Sequence, residues 1–228
     1  MDLYPLLNSI RIALISTFVV LITGVLCAYY ISKVNRVIKG FLDVIFTLPL
    51  VLPPTVVGYL ILKILGPNSF IGAFMNSAFN LKFTMDWWSA VIATSIVAFP
   101  LMYRTARGAF ESFNNSLSDV ALTLGLSKSY IFFRIRLPYC KQGIIAGAVL
   151  SFARALGEYG ATSMVAGYIP NKTATISTTV YHLWQINNDE LAFKWVMLNI
   201  VISAVVLLVV NSVEDKYQRK EVKYVSYS

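Results

Sequence analysis

Apolar runs as long as a bilayer is thick recur along this 228-residue chain, near residues 10–32, 42–65, 87–107, 139–158 and 195–213. A helix needs about 18–20 such residues to cross the hydrocarbon. Backbone polar groups at that depth find no water, so a spanning segment must satisfy them internally. The runs are long and do not alternate, which selects helices over barrel strands. With 57% hydrophobic and 13% charged residues, the composition excludes an ordinary soluble domain. The expected fold class is an all-α integral membrane protein, one domain over residues 1–228. It is a polytopic helical bundle of five transmembrane helices, or of six if residues 159–194 supply another.

The net charge of +8 is informative through its distribution. Lys33, Arg36 and Lys39 share one short loop. Arg104, Arg107, Lys128, Arg134, Arg136 and Lys141 lie in or beside a second, and Lys216, Arg219, Lys220 and Lys223 lie in the tail. With five spans all of these fall on one side, opposite Arg11, Lys63, Lys82, Lys172 and Lys194. The positive-inside rule then places the C-terminus in the cytoplasm and the N-terminus outside, in a multi-pass protein of the cytoplasmic (inner) membrane. No basic, aromatic-interleaved soluble face exists for nucleic acid. The first run has its main basic cluster after it, the reverse of a cleaved signal peptide, and reads as a retained helix. Cys27 and Cys140, near the cytoplasmic ends of their spans and without paired spacing, read as apolar core residues.

Pro49, Pro53 and Pro54 remove three backbone donors from the second run, so that helix must kink or break. A break at membrane depth needs protein or a water-filled cavity around it. Pro53 and Pro54 are thus candidates for a pivot lining a pathway, against the plainer reading of a bent packing helix. Pro100 predicts a milder bend in the third run. Residues 66–86 form an external connection with an amphipathic stretch from Phe70 to Phe83, closed by Trp87 and Trp88 as interfacial anchors. Residues 159–194 are rich in Gly, Ser and Thr and suit a re-entrant or gate-forming segment.

About thirty residues separate the third and fourth runs. Leu117, Val120, Ala121 and Leu124 fall at i, i+3, i+4, i+7, a helical pattern. Ser116 is placed to cap it, with Asp119 as a short-armed capping-box partner. Gly125 is placed to end it in the left-handed conformation. Ser127 is placed to cap a second helix reaching toward Arg136, after which Pro138 turns the chain into the next span. Taken alone, the pattern also fits an amphipathic helix lying on lipid.

The complete spacing, Asp119-Val120-Ala121, three residues, Gly125, nine residues, Ile135-Arg136-Leu137-Pro138, resembles the cytoplasmic loop of ABC importer permeases. The family pattern is Glu-Ala-Ala-x3-Gly-x9-Ile-x-Leu-Pro; here Asp119 stands for the Glu and Val120 for the first Ala. Two further stretches resemble molybdate-type permeases: Pro49 through Tyr59, and Leu156-Gly157-Glu158-Tyr159-Gly160-Ala161-Thr162 with Ala166 through Thr173. Sulfate and thiosulfate permeases share a related Gly-x-Ile-Pro-x-Lys-Thr stretch, and tungstate is close to molybdate. The resemblance covers roughly residues 5–213 and implies a type I ABC importer permease fold with a short coupling helix. It also implies oxyanion import in company with a second copy, two ATP-binding cassette ATPase subunits and an extracytoplasmic oxyanion-binding protein. Asp119, Ala121, Gly125, Ile135, Leu137 and Pro138 would then couple the ATPase to the bundle.

No phosphate-binding Gly-x4-Gly-Lys-Ser/Thr loop, metal-ligand set or nucleophile elbow occurs, and His182 stands without ligand-spaced neighbours. No catalytic or metal residue is therefore expected. Nor is a bound cofactor, ATP and Mg belonging to the ATPase partner. Arg154 and Glu158 share a helix face at i, i+4 and either border the pathway or fix packing. Thr162 and Ser163 supply neutral hydroxyls, which suit weak multi-point contact with a tetrahedral dianion or close helix packing.

Overall fold

The computed structural model describes residues 2–225, with side-chain surroundings through residue 208. The side chains of Lys216, Arg219, Lys220 and Lys223 lie outside the described residues. Helices dominate, and no strand occurs among the described residues. Among the described residues, three helices are long and apolar enough to cross a bilayer: α1 (Tyr4–Ile31), α5 (Trp87–Glu111) and the Asp189–Leu208 part of α12 (Asp189–Val225). α2 (Arg36–Val51) and α3 (Pro54–Leu65), which meet at 113°, reach the same length and apolarity only when taken together as one broken pair.

The prolines act unequally. Pro49 is accommodated inside α2, whereas the break falls at Leu52 and Pro53, both in extended or polyproline-like conformation. Pro54 opens α3, where a missing N–H costs nothing. The Pro53 carbonyl accepts from the Val56 and Val57 amides at 2.9 and 3.2 Å, which starts the new helix at once. Pro100 sits within α5 without interrupting it.

After α4 (Phe70–Phe79) and α5 come a polar hairpin, α6 (Asn115–Thr123) and α7 (Lys128–Ile131), then a π-helical turn (Phe132–Arg136) and the single turn α8 (Leu137–Tyr139). The chain continues into α9 (Lys141–Leu156), 16 residues long. Pro138 lies inside α8, and the chain leaves helical geometry at Cys140, between α8 and α9. The Leu137 amide reaches back to the Phe132 carbonyl, and this widened turn absorbs a proline that lacks the N–H of a regular helix.

Residues 159–194 hold α10 (Gly160–Val165) and α11 (Ile176–Gln185), both too short to cross a bilayer. The intervening turn is stapled to the first turns of α1. The Asn8 amide donates to the Ala174 carbonyl at 3.0 Å, and Ser9 Oγ accepts from the Ile176 amide at 2.9 Å. Lys172 pairs with Asp86, the residue that caps α5.

Two ends of the bundle follow from these contacts. Trp195, early in α12, packs with Ile176 and Leu6; further along, Ile202 and Val206 pack with Ala13, Ala155 and Phe152. α12 therefore runs parallel to α1, toward the end that carries Lys33. The polar hairpin sits at that same end, where Tyr29 of α1 meets Phe110 and Phe132.

Candidate functional site

The hairpin is built by local backbone rules and then fixed by one arginine. Asn114, not Ser116, caps α6, its side-chain oxygen accepting from the Ser116 amide at 3.0 Å. Asp119 consequently lies in the second turn, exposed, and no capping box forms with it. Asparagine takes the extended cap conformation as readily as serine, and sequence spacing does not separate neighbouring cap candidates. Gly125 has φ +78°, with the Gly125 amide on the Leu122 carbonyl at 2.9 Å and the Leu126 amide on the Ala121 carbonyl at 3.1 Å. This pair of bonds closes a helix through a left-handed residue. Ser127 Oγ then accepts from the Tyr130 amide at 3.2 Å and caps α7.

Arg136 completes the hairpin. It is only 7% exposed and donates from Nη2 to Asn115 Oδ1 at 2.6 Å. Its guanidinium lies 4.7 Å from the Phe113 ring centre and 5.6 Å from that of Tyr29. One side chain thus joins the start of α6, the π-helical turn and the end of α1. In the sequence Arg136 shows as positive charge at the variable position of the Ile-x-Leu-Pro stretch. The available clue was its position between Ile135 and Leu137, both of which pack on the bundle core.

The predicted coupling residues divide accordingly. Ala121 is buried, Gly125 ends the helix, and Ile135 and Leu137 are half-buried, whereas Asp119 and Pro138 face outward. Leu117, Val120 and Leu124 are 45%, 60% and 73% exposed and form an apolar stripe directed away from the bundle. The spaced motif builds a bracket, and the residues between its fixed points form the free surface.

The second group of predicted residues lies where α3 meets α10. A Cβ on Gly58 would stand 2.8 Å from Met164 Cβ and 2.9 Å from Ala161 Cα. One on Gly160 would stand 2.9 Å from Pro54 Cβ and 3.1 Å from the Thr55 amide nitrogen. Two glycines, one from each helix, therefore let the backbones touch. Glu158 is buried between α9 and α10. Its Oε1 accepts from the Ala161 amide at 2.8 Å, and its Oε2 pairs with Arg154 at 2.6 Å. It caps the short helix and ties it to the preceding one. Thr162 is enclosed against Thr94 of α5, the hydroxyls 3.4 Å apart, and Ser163 Oγ donates to the Gly160 carbonyl. Pro53, Pro54, Arg154, Glu158, Thr162 and Ser163 are thus gathered around one break in the bundle, with Thr162 turned into packing in this conformation.

A polar tie missed in the sequence joins α2 to α5. Asp43 accepts from the Tyr103 hydroxyl and pairs with Arg107, while Lys39 pairs with Glu111. These side chains come from helices about 60 residues apart in sequence, and no local pattern connects them. His182 stacks on Tyr168 at 4.2 Å between ring centres. Among the described residues no group of His, Cys, Asp or Glu is placed to hold a metal.

The fold is shared with solved transporters. The bacterial alginate ABC transporter, crystallised with an alginate-bound periplasmic protein, matches 94% of this chain and 78% of its own with TM-score 0.74 at 19% identity. The MetNI methionine ABC transporter matches 93% and 94% with TM-score 0.69 at 12% identity. The chain belongs to the family of binding-protein-dependent transport system inner membrane components, whose model matches residues 20–221. Its relatives include the molybdenum transport system permease protein ModB of Escherichia coli K12, 38% identical over 89% of each chain. The ModB protein of Haemophilus influenzae is 35% identical over 96% of each. The chain is therefore a multi-pass membrane permease of the ABC importer class.

Proposed function

We propose that this chain is the membrane-spanning subunit of an ATP-driven importer of molybdate, and of the closely similar tungstate. The observation that carries the substrate assignment is near-full-length identity to relatives named as molybdenum permeases. No relative named above is a sulfate permease.

A homodimer of this chain, two ATPase subunits and an extracytoplasmic oxyanion-binding protein form the working assembly. The hairpin end faces the cytoplasm and the N-terminus lies outside, in keeping with the positive-inside rule. The sequence has no phosphate-binding loop, so ATP and Mg are handled by the ATPase. Leu117, Val120 and Leu124 supply the docking surface. Burying an apolar side chain of this size contributes about 1.5–3 kcal/mol, enough for three half-exposed ones to hold a mobile partner. Asp119, Ala121, Gly125, Ile135, Leu137 and Pro138 keep that surface in one orientation, through close packing, a glycine cap and the π-helical turn.

ATP binding shifts the assembly between two conformations by as much as it prefers one of them. The hairpin transmits the difference to α5 and α9, between which it is inserted. α9 leads through Glu158 into α10, and α10 grips α3 at Gly58 and Gly160. Pro53 and Pro54 are the pivot, and the Arg154–Glu158 pair keeps α10 in register with α9. Thr162 and Ser163 come near the anion's route only when the α3–α10 contact shifts.

The test is radiolabelled molybdate uptake by cells lacking their own importer and expressing this chain with its ATPase and binding protein. Uptake should be displaced by unlabelled molybdate or tungstate and remain unchanged under excess sulfate. Sulfate displacing molybdate as effectively as molybdate itself would overturn the substrate assignment.

A further inference from the structure

Between the end of α1 and the polar hairpin lies a cleft of about 130 Å³, lined by Tyr29, Lys33, Ser118, Lys128, Phe132 and Arg136 among others. It is separate from the α3–α10 contact and from the outward stripe of α6. Three cationic side chains converge on it. Among the described residues, no carboxylate lies within ion-pair distance of any of them. Lys33 Nζ sits 3.6 Å from the centre of the Tyr29 ring, an aromatic wall that limits its access to water.

Two polar atoms here are orphaned. Arg136, more than nine-tenths buried, uses Nη2 on Asn115, yet its buried Nε has no partner. Ser118 Oγ is likewise buried and unpartnered. Folded proteins seldom leave such donors unsatisfied, and a buried guanidinium is the costliest kind to leave so. A guanidinium edge, a hydroxyl and two ammonium groups form a donor set suited to oxygens bearing negative charge. The volume admits one four-oxygen group and is too small for a nucleotide.

We propose that this cleft binds a phosphate-class oxyanion group, carried either by the headgroup of an anionic phospholipid or free in solution. Occupancy would satisfy Arg136 and Ser118 and fasten α6 and α7 to the end of α1. The hairpin's rigidity would then depend on an anion that is not the cargo in transit.

The experiment uses the full-length chain purified with its ATPase. Native mass spectrometry counts retained phosphatidylglycerol, and calorimetry on the delipidated complex measures binding of inorganic phosphate and of molybdate. A Lys33→Gln/Lys128→Gln variant should weaken the bound class roughly 30-fold, about a factor of five per lysine. Lys33→Arg/Lys128→Arg should retain it, and Ser118→Ala, which leaves the charge intact, should weaken it less. Loss confined to phosphatidylglycerol identifies a headgroup site, and loss confined to the free ions identifies a soluble-anion site. Equal binding of all three probes by wild type and the Gln variant overturns the proposal. So does loss of the ATPase with anion binding unchanged, because the cleft would then belong to a protein contact. Molybdate uptake is scored separately, so failure here leaves the transport assignment standing.

Discussion

Gly125 offers a graded test of whether the hairpin works as a stiff element. Its φ of +78° lies in the left-handed region, and a Cβ there would meet nothing within 4 Å. Alanine therefore adds backbone strain and no clash, about 1–2 kcal/mol. That shifts the equilibrium between capped and frayed hairpin by roughly 5- to 30-fold. Asparagine tolerates this conformation better and should cost less. Proline has φ fixed near −65° and removes the amide that holds the Leu122 carbonyl, so it cannot form the cap and costs about 3 kcal/mol or more. The assay is molybdate uptake into vesicles containing the permease, its ATPase and its binding protein, with permease content matched and ATP hydrolysis measured alongside. Uptake per ATP should fall in the order Gly, Asn, Ala, Pro, with Gly125→Pro abolishing it. Wild-type uptake by a correctly inserted Gly125→Pro protein, or Asn below Pro, would refute the rigid-lever reasoning.

Three further outcomes are expected. Gly58→Val should force α3 from α10, an overpacking cost of about 1–3 kcal/mol, and reduce uptake while the ATPase still co-purifies; unchanged uptake would remove the seam from the mechanism. Glu158→Gln should keep the bond to the Ala161 amide but lose the pair with Arg154, whereas Glu158→Ala loses both and should cost about 1 kcal/mol more. Arg154→Gln strands the buried Glu158 carboxylate and should cost more than Glu158→Gln, which leaves only the more exposed Arg154 unpaired; melting temperature with uptake for the three variants checks this. Asp43→Asn should lower the detergent melting temperature, because Arg107 loses its half-buried counter-charge, while Asp43→Ala should lower it further by freeing the Tyr103 hydroxyl too; identical melting curves would make the tie incidental.

What the sequence revealed was mostly local. Gly125 and Ser127 announce helix ends through their own backbone chemistry, and each forms the cap its residue type favours. The paired prolines imply a break, but not that Pro49 would be absorbed inside α2. Asn114 lies two residues before Ser116, and both are strong cap residues. Arg136, Asp43 and the reciprocal glycines Gly58 and Gly160 act through partners tens to a hundred residues away. Their identity as charge or small residue was visible, but their contacts depend on tertiary packing. In the Gly-, Ser- and Thr-rich stretch the hydroxyls of Thr173, Thr175 and Thr178 close turns and helix starts nearby.

No residue of α2 is buried. At one end it swings from the Leu52–Pro53 corner, and at the other Asp43 and Lys39 hold it like a catch. Displacing it would part Phe46 from the rings of Phe99 and Tyr103 and lift Leu42 from the core, so the effort of moving this arm is shared between a few ring contacts and the release of a few charges. A door hung that way yields to a small push, provided the push arrives where the catch is.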